Sequence, residues 1–482
     1  MMKETSVSCK KNASNAALLP PYRDDADVKL IRADADGLLF SPDWVSSLVL
    51  VEVHPETATK EGTLASLVPV LDHLAALGVN GIWLTPIYEK GPGGNGYGNM
   101  GPHTLEPAVT GTDDVEEGWR RAAAFVAEAH KRNIRVLLDI ISWGCIHASP
   151  LISEHPDWFR GEAWGGAAFD WENDEFRAWF IDVCIRNILV THADGYRCDC
   201  EPMYSGYRVF AEIRTRLLAL GRKIAVIAEE SSERRATYDC EQDGVTGWID
   251  WSRGQQYQHP RTYFLEPGCD IVSCIREGTL HGDAAAQRNG VSGRNQYYTY
   301  CVSNHDFQYS VTNRNRLVIG YQAIFAPYIP LWYLGAEFGM TAEKKVIYFV
   351  PVDWTLLDLP ENREFLEDIR RYLAVRRLYP EIFEYFPLDH RESNIAPLES
   401  DVPLRAYARY RNGQAVLIVP NPGKEAREIT VRGTFADLCM DGASALPNLL
   451  EEGKEVPFTA GNGAFSFRIK VEGEHLAVLA LS

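Results

Sequence analysis

Apolar positions recur along this chain with two different periods, and the change of period divides it. Leu64, Leu67, Val68, Leu71, Leu74 and Ala75 follow the i, i+3, i+4, i+7 spacing of a helix, which Gly78 closes as a C′ residue. On either side stand apolar runs of strand length, SLVLVEVH (47–54) and VNGIWLTPI (79–87). Asp113 with Glu116 reads as a capping box for a helix through Trp119, Ala122 and Val126 that ends near Asn133. Then come a strand at 134–141, a helix at 174–189 and a strand at 194–200. A helix carrying Val209, Phe210, Ile213 and Leu217 ends at Gly221, and a strand follows at 224–230. Strands that are apolar nearly throughout and separated by helices form a parallel sheet covered on its outer side. Repeated this often, the economical closure is a (β/α)8 TIM barrel, with a doubly wound open sheet as its competitor.

The last hundred residues have the other period. LRAYARYRNGQAVLIVPNP (404–422) alternates, turns at Asn412-Gly413 and continues apolar, which is a hairpin signal. Phe465, Phe467 and Ile469 alternate, and LAVLAL (476–481) closes the chain. The reading is an α/β protein in three parts. Residues 1–40 form a polar N-terminal arm, 41–385 a catalytic barrel with a short insertion after its third strand, and 386–482 a C-terminal antiparallel β-sandwich.

Composition narrows the function. Of 482 residues 46% are apolar and 24% charged, so the chain is globular, and its net charge of −18 repels polyanions. Nucleic acid is therefore not an expected partner. No run approaches 18 apolar residues, so no membrane span is expected. The 10 cysteines stand without a CxxC pair, which speaks against zinc or redox use. With no apolar stretch behind Lys10 and Lys11 to suggest a signal peptide, a cytoplasmic protein is expected.

In a parallel barrel the chemistry sits at the C-terminal strand ends. Those positions hold Asp139, then Arg197 and Asp199, then Glu229 and Glu230, then Asn304-His305-Asp306. Arg197 and Asp199 are two apart and share a face, so the guanidinium keeps the carboxylate ionised, as a nucleophile needs. Glu229 ends the apolar run IAVIA, where desolvation favours a protonated general acid, and Glu230 alternates away. One ionised and one protonated carboxyl are the equipment of glycoside hydrolysis, with retention expected at a separation of about 5–5.5 Å.

GVNGIWLTPI (78–87), LLDII (137–141), GYRCD (195–199), IAEE (227–230) and SNHD (303–306) together resemble the alpha-amylase family of glycoside hydrolases, with HPDWF (155–159) and YIPLWYLGAEFGM (328–340) in support. The resemblance covers roughly 45–480 and implies a (β/α)8 barrel followed by a β-sandwich. It also implies Asp199 as nucleophile, Glu229 as acid/base and Asp306 as transition-state stabiliser. Arg197 would hold Asp199, His305 would bind sugar hydroxyls, and Tyr97 would be the aromatic platform under the sugar. The chain departs from the family where an Asn-His pair is usual: Trp143 and Gly144 stand there. The Asn helps hold a calcium ion and the His donates to the sugar 6-hydroxyl, so no metal or other cofactor is expected and recognition at C6 must differ. Trp143 becomes a candidate substrate-binding residue. Pro202-Met203 replace the Lys-His of starch-cutting members. The expected activity is a retaining α-glycosidase acting on an α-glucoside or short α-gluco-oligosaccharide. The alternatives are a transglycosylase or isomerase using the same intermediate, and a non-catalytic carbohydrate-binding relative.

Overall fold

The computed structural model describes residues 42–91, 94–199, 206–228, 240–241, 297–305, 315–340, 349–384 and 394–482. The N-terminal arm, Glu229, Glu230, Asp306 and Pro202-Met203 lie outside them.

Eight parallel strands close a barrel: β1 (Leu50–Val53), β2 (Gly81–Leu84), β3 (Arg135–Ile141), β4 (Gly195–Asp199), β5 (Ala225–Ala228), β6 (Cys240–Glu241), β7 (Tyr297–Cys301) and β8 (Ile329–Tyr333). Each pairs with its sequence neighbour, and β1 also pairs with β8. Helices α1 (Val68–Leu77), α2 (Val115–Lys131), α3 (Asp174–Thr191) and α4 (Gly206–Ala219) make the first four crossovers, and α5 (Pro360–Leu378) follows β8.

The first strand is shorter than its apolar run, and a 3-10 turn over Asp43–Ser47 precedes it. Helix α1 ends as its spacing predicts. Gly78 sits at φ 101° and its N–H returns to the carbonyls of Leu74 and Ala75. The cap of α2 is displaced by one residue from the predicted capping box. Asp114, not Asp113, accepts the N–H of Glu117 at 2.7 Å. Two adjacent aspartates offer the same chemistry, and the register of the buried face (Trp119, Ala122, Phe125, Val126, Ala129) selects the second.

Along the barrel strands, successive side chains alternate between the outer layer and the lumen. Val51, Val53, Ile82, Leu84, Leu138, Ile140, Tyr196 and Cys198 pack outward under the helices, while Leu50, Trp83, Leu137, Ile227 and Leu331 fill the lower interior. One step toward the C-terminal ends, the inward column turns polar: Glu52, Asp139, Arg197, Asp199 and Tyr333, all buried.

After β3 the chain forms a small antiparallel sheet from Gly144–Cys145, Phe159–Ala163 and Gly166–Phe169. Beyond Asn394 two four-stranded antiparallel sheets enclose a second apolar core. One contains Ile395–Pro397, Tyr407–Arg411, Gln414–Asn421 and His475–Leu481; the other contains Glu399–Ser400, Arg427–Thr434, Phe458–Gly461 and Ala464–Val471. The predicted hairpin turns at Asn412 (φ 51°) and Gly413 (φ 74°), both left-handed as a type I′ turn demands. The sandwich is joined to the barrel by an apolar seam, in which Tyr407, Val416, Ile418, Leu476 and Val478 share the core of the barrel's outer layer, and by polar contacts: Tyr407 Oη donates to the Tyr321 carbonyl at 2.6 Å and Arg409 Nη1 to the Phe325 carbonyl at 3.0 Å. Among the described residues no helix is long and apolar enough to cross a membrane.

Candidate active site

Arg197 stands at the centre of the barrel mouth with no exposed surface. Its Nη1 donates to Asp199 Oδ1 at 2.8 Å and to both carboxylate oxygens of Asp139 at 3.2 Å. The strand register produces this cluster. Asp139 on β3 lies beside Arg197 on β4, and Asp199 is the next inward residue on the same strand. The guanidinium carbon lies 4.4 Å from the centroid of the Trp83 ring, so an aromatic face covers the cation on one side.

Asp139 also accepts from Trp83 Nε1 at 2.8 Å and from Tyr97 Oη at 2.9 Å. Tyr97 comes from the loop after β2, and its ring stacks on His305 at 4.3 Å between centroids. His305 follows β7. Its backbone N–H donates to Glu52 Oε2 at 3.2 Å, and its Nδ1 lies 2.5 Å from Glu52 Oε1 and 3.2 Å from Tyr97 Oη. Burial pushes the Asp139 and Glu52 carboxyls above the usual range, against the pull of Arg197 and His305. Burial also raises the Tyr97 phenol, helped by the Asp139 charge. At the end of β1, burial pushes His54 down to about 4; it is neutral at ordinary pH, and its Nε2 lies 3.4 Å from the Asn95 carbonyl.

Trp143 borders the cluster, its indole N–H donating to the Tyr97 carbonyl at 3.3 Å. Its own carbonyl accepts the N–H of Phe169, which begins the small sheet. Gly144 pairs with Ala168 there, and a Cβ on Gly144 would stand 2.0 Å from the Ala167 carbonyl oxygen. The backbone therefore admits glycine alone at that position, and no histidine can point into the mouth from it.

The structure thus brings together Asp199, Arg197, Tyr97 and His305 with Trp143 at their edge. The two further sequence candidates, Glu229 and Asp306, lie outside the described residues, one past the end of β5 and one past His305. Sequence reasoning missed Glu52 and Trp83. The signal for Glu52 was a single acid inside the run VLVEV, since an unpaired carboxylate is not buried without cause.

Comparisons with known proteins bear on the fold and the family. Residues 31–162 match the model of the alpha amylase catalytic domain. The chain is 21% identical over 459 residues to an intracellular maltogenic amylase of Bacillus subtilis, covering 81% of this chain and 71% of that one. Over 202 residues it is 31% identical to the malto-oligosyltrehalose trehalohydrolase of Arthrobacter ramosus, covering 38% of this chain and 33% of the relative. Among solved structures it resembles the noncanonic maltogenic alpha-amylase of Thermotoga neapolitana, with a TM-score of 0.68 at 19% identity over 91% of this chain and 99% of that one. It also resembles the alpha-amylase of Geobacillus thermoleovorans, with a TM-score of 0.70 at 17% identity over 91% and 98%. By these matches the chain is similar to the alpha-amylase family of glycoside hydrolases, with the catalytic-domain match confined to residues 31–162.

Proposed function

We propose that the protein hydrolyses an α-glucoside or a short α-gluco-oligosaccharide with retention, through a covalent glycosyl-aspartate on Asp199. The observation that carries this is the Asp199 carboxylate gripped by Arg197 at 2.8 Å at the mouth of a barrel similar to that of the alpha-amylase family. Arg197 favours the ionised form and fixes the carboxylate's aim. In the first step an Asp199 oxygen attacks the anomeric carbon while Glu229 protonates the departing glycosidic oxygen. The C–O bond to the leaving group breaks as the C–O bond to Asp199 forms. In the second step Glu229 takes a proton from water, which displaces Asp199 and restores the original anomeric configuration. Asp306 stabilises the charge of the oxocarbenium-like transition state, and His305 and Tyr97 hold the ring that develops it.

Carbohydrate chemistry of this class is supported by the names of the relatives, which include maltogenic amylase, cyclomaltodextrinase and oligo-1,6-glucosidase. The word intracellular in the name of the Bacillus subtilis relative supports a cytoplasmic location. Specificity is expected to differ at C6 of the sugar. Gly144 has no side chain to donate there, and the neighbouring indole N–H of Trp143 is spent on the Tyr97 carbonyl. The test is proton NMR of the first product released from aryl α-glycosides, including 6-deoxy and 6-substituted glucosides. The α-anomer should appear first, with little loss on removing the 6-hydroxyl. Initial β-anomer, or maltose cleaved at full efficiency with the 6-deoxy sugar rejected, contradicts the reading.

A further inference from the structure

We propose that Glu52 is a positioning residue that keeps His305 in the form whose Nε2 carries a proton, so that His305 acts as a hydrogen-bond donor to the sugar. The inference rests on the glycosidase reading and assigns a role to a residue outside the three carboxylates.

The proton count follows from the contacts. Tyr97 has one hydroxyl proton, and at 2.9 Å it goes to Asp139, which also receives Trp83 and Arg197. Tyr97 Oη therefore has only an acceptor lone pair to offer His305 Nδ1 at 3.2 Å. Taken alone, that contact selects the ring tautomer with its proton on Nδ1 and a bare Nε2, which could only accept.

Glu52 overrides that choice. Its carboxyl is wholly buried, as is the histidine ring, and 2.5 Å separates Oε1 from Nδ1. A proton lies between these two atoms whichever of them holds it. The remaining question is whether the pair keeps a second proton on Nε2. Without it the pair is a net anion beside Asp139 and Asp199, three negative charges against which Arg197 is the paired cation among the described residues. With it the pair is neutral overall, whether written as acid and imidazole or as carboxylate and imidazolium. A dry site strongly disfavours the extra unbalanced charge. The phenol of Tyr333, which also faces Glu52, stays protonated and adds no charge. Orientation is fixed by the same residue. Glu52 holds the His305 backbone N–H through Oε2, while Tyr97 stacks on one face of the ring and Trp83 meets it edge-on at 5.7 Å.

Two substitutions separate the donor role from simple packing. In Glu52→Gln the side-chain amide can donate to Nδ1 and its oxygen can still accept the backbone N–H, so Nε2 keeps its proton. In Glu52→Leu neither contact survives, and the Tyr97 oxygen draws the proton to Nδ1. With 4-nitrophenyl α-D-glucopyranoside as substrate, Glu52→Gln should stay within about 3-fold of wild type. Glu52→Leu should lose roughly 10-fold or more in kcat/KM, the loss of one well-made hydrogen bond in the transition state. Nitrogen-15 NMR of histidine-labelled protein, with His305 assigned through His305→Gln, reads the state directly and without turnover. Nε2 should be protonated in wild type and in Glu52→Gln and unprotonated in Glu52→Leu. An unprotonated Nε2 in the wild type overturns the proposal, as does a Glu52→Gln loss equal to that of Glu52→Leu in proteins of equal melting temperature. If no glycoside is turned over by any form, the glycosidase reading fails while the NMR result still decides this one.

Discussion

The barrel mouth and the C-terminal sandwich are both dry, yet they are dry for opposite reasons. In the sandwich, Ala464–Val471 alternates outward and inward. Its inward Phe465, Phe467, Ile469 and Val471 meet Leu417, Val419, Leu479 and Leu481 in a core without a charge. Burial there is its own reward, and each methylene contributes about 0.8 kcal/mol. In the mouth the same alternation carries Glu52, Asp139, Arg197 and Asp199 inward to exposures of 0–6%. Desolvating them costs free energy that is offset by their contacts with one another and with Trp83, Tyr97 and His305. A region that merely had to be stable would have continued the apolar column of Leu50, Leu137, Ile227 and Leu331 upward. That it stops one residue short on several strands at once marks the place where the fold yields stability to chemistry.

Substitutions sharpen this contrast. The largest effect is expected at Glu229, where Gln should lower kcat by about 10²–10⁴-fold on substrates with poor leaving groups while leaving the melting temperature nearly unchanged. Next is Arg197→Leu. Removing the cation strands Asp139 and Asp199 as buried like charges, and stability should fall by about 3–5 kcal/mol in urea unfolding, with activity lost. Leu479→Ala in the sandwich should cost about 2–5 kcal/mol by the cavity it leaves. Its kcat and pH profile should match wild type below the unfolding transition. Were Leu479→Ala to change the pH profile, the two regions would not be separable in the way described.

A smaller effect concerns pH. His54 is neutral when folded, with its pKa at about 4, and binds a proton on unfolding at its ordinary value of 6.5. The unfolded chain therefore takes up more protons between those values, so this group's share of stability is complete above pH 6.5 and declines toward pH 4. The decline is on the order of 3 kcal/mol and should flatten in His54→Gln, measured by urea unfolding at pH 4.5 and 7.5. The smallest effect is expected at Trp164, exposed at the hairpin tip with φ 50°. Trp164→Asn should gain up to about 1 kcal/mol, because asparagine tolerates the left-handed conformation.

Much of this molecule was legible before its structure. The sandwich hairpin was readable because period-two alternation and Asn412-Gly413 act locally, and α1 because its apolar stripe and Gly78 agree. The pairing of Arg197 with Asp199 followed from two-residue spacing on one strand. What could not be read depends on register between distant segments. Glu52 looks like one blemish in an apolar run until β1 is set against His305, 253 positions away in sequence. The small sheet after β3 has no long periodic run to announce it. The need for glycine at 144 exists only because Ala167 crosses close by. The capping box fell one residue early for the same reason: Asp113 and Asp114 are equivalent until the helix docks.

The central claim is that Asp199 is the charged nucleophile, and trapping it is the most direct test. Wild-type protein incubated with a 5-fluoro-α-D-glucopyranosyl fluoride, then digested and analysed by mass spectrometry, should carry one fluoroglucosyl group on the peptide containing Asp199. Asp199→Asn should carry none. An adduct on another carboxylate, or retained turnover by Asp199→Asn, would contradict the account.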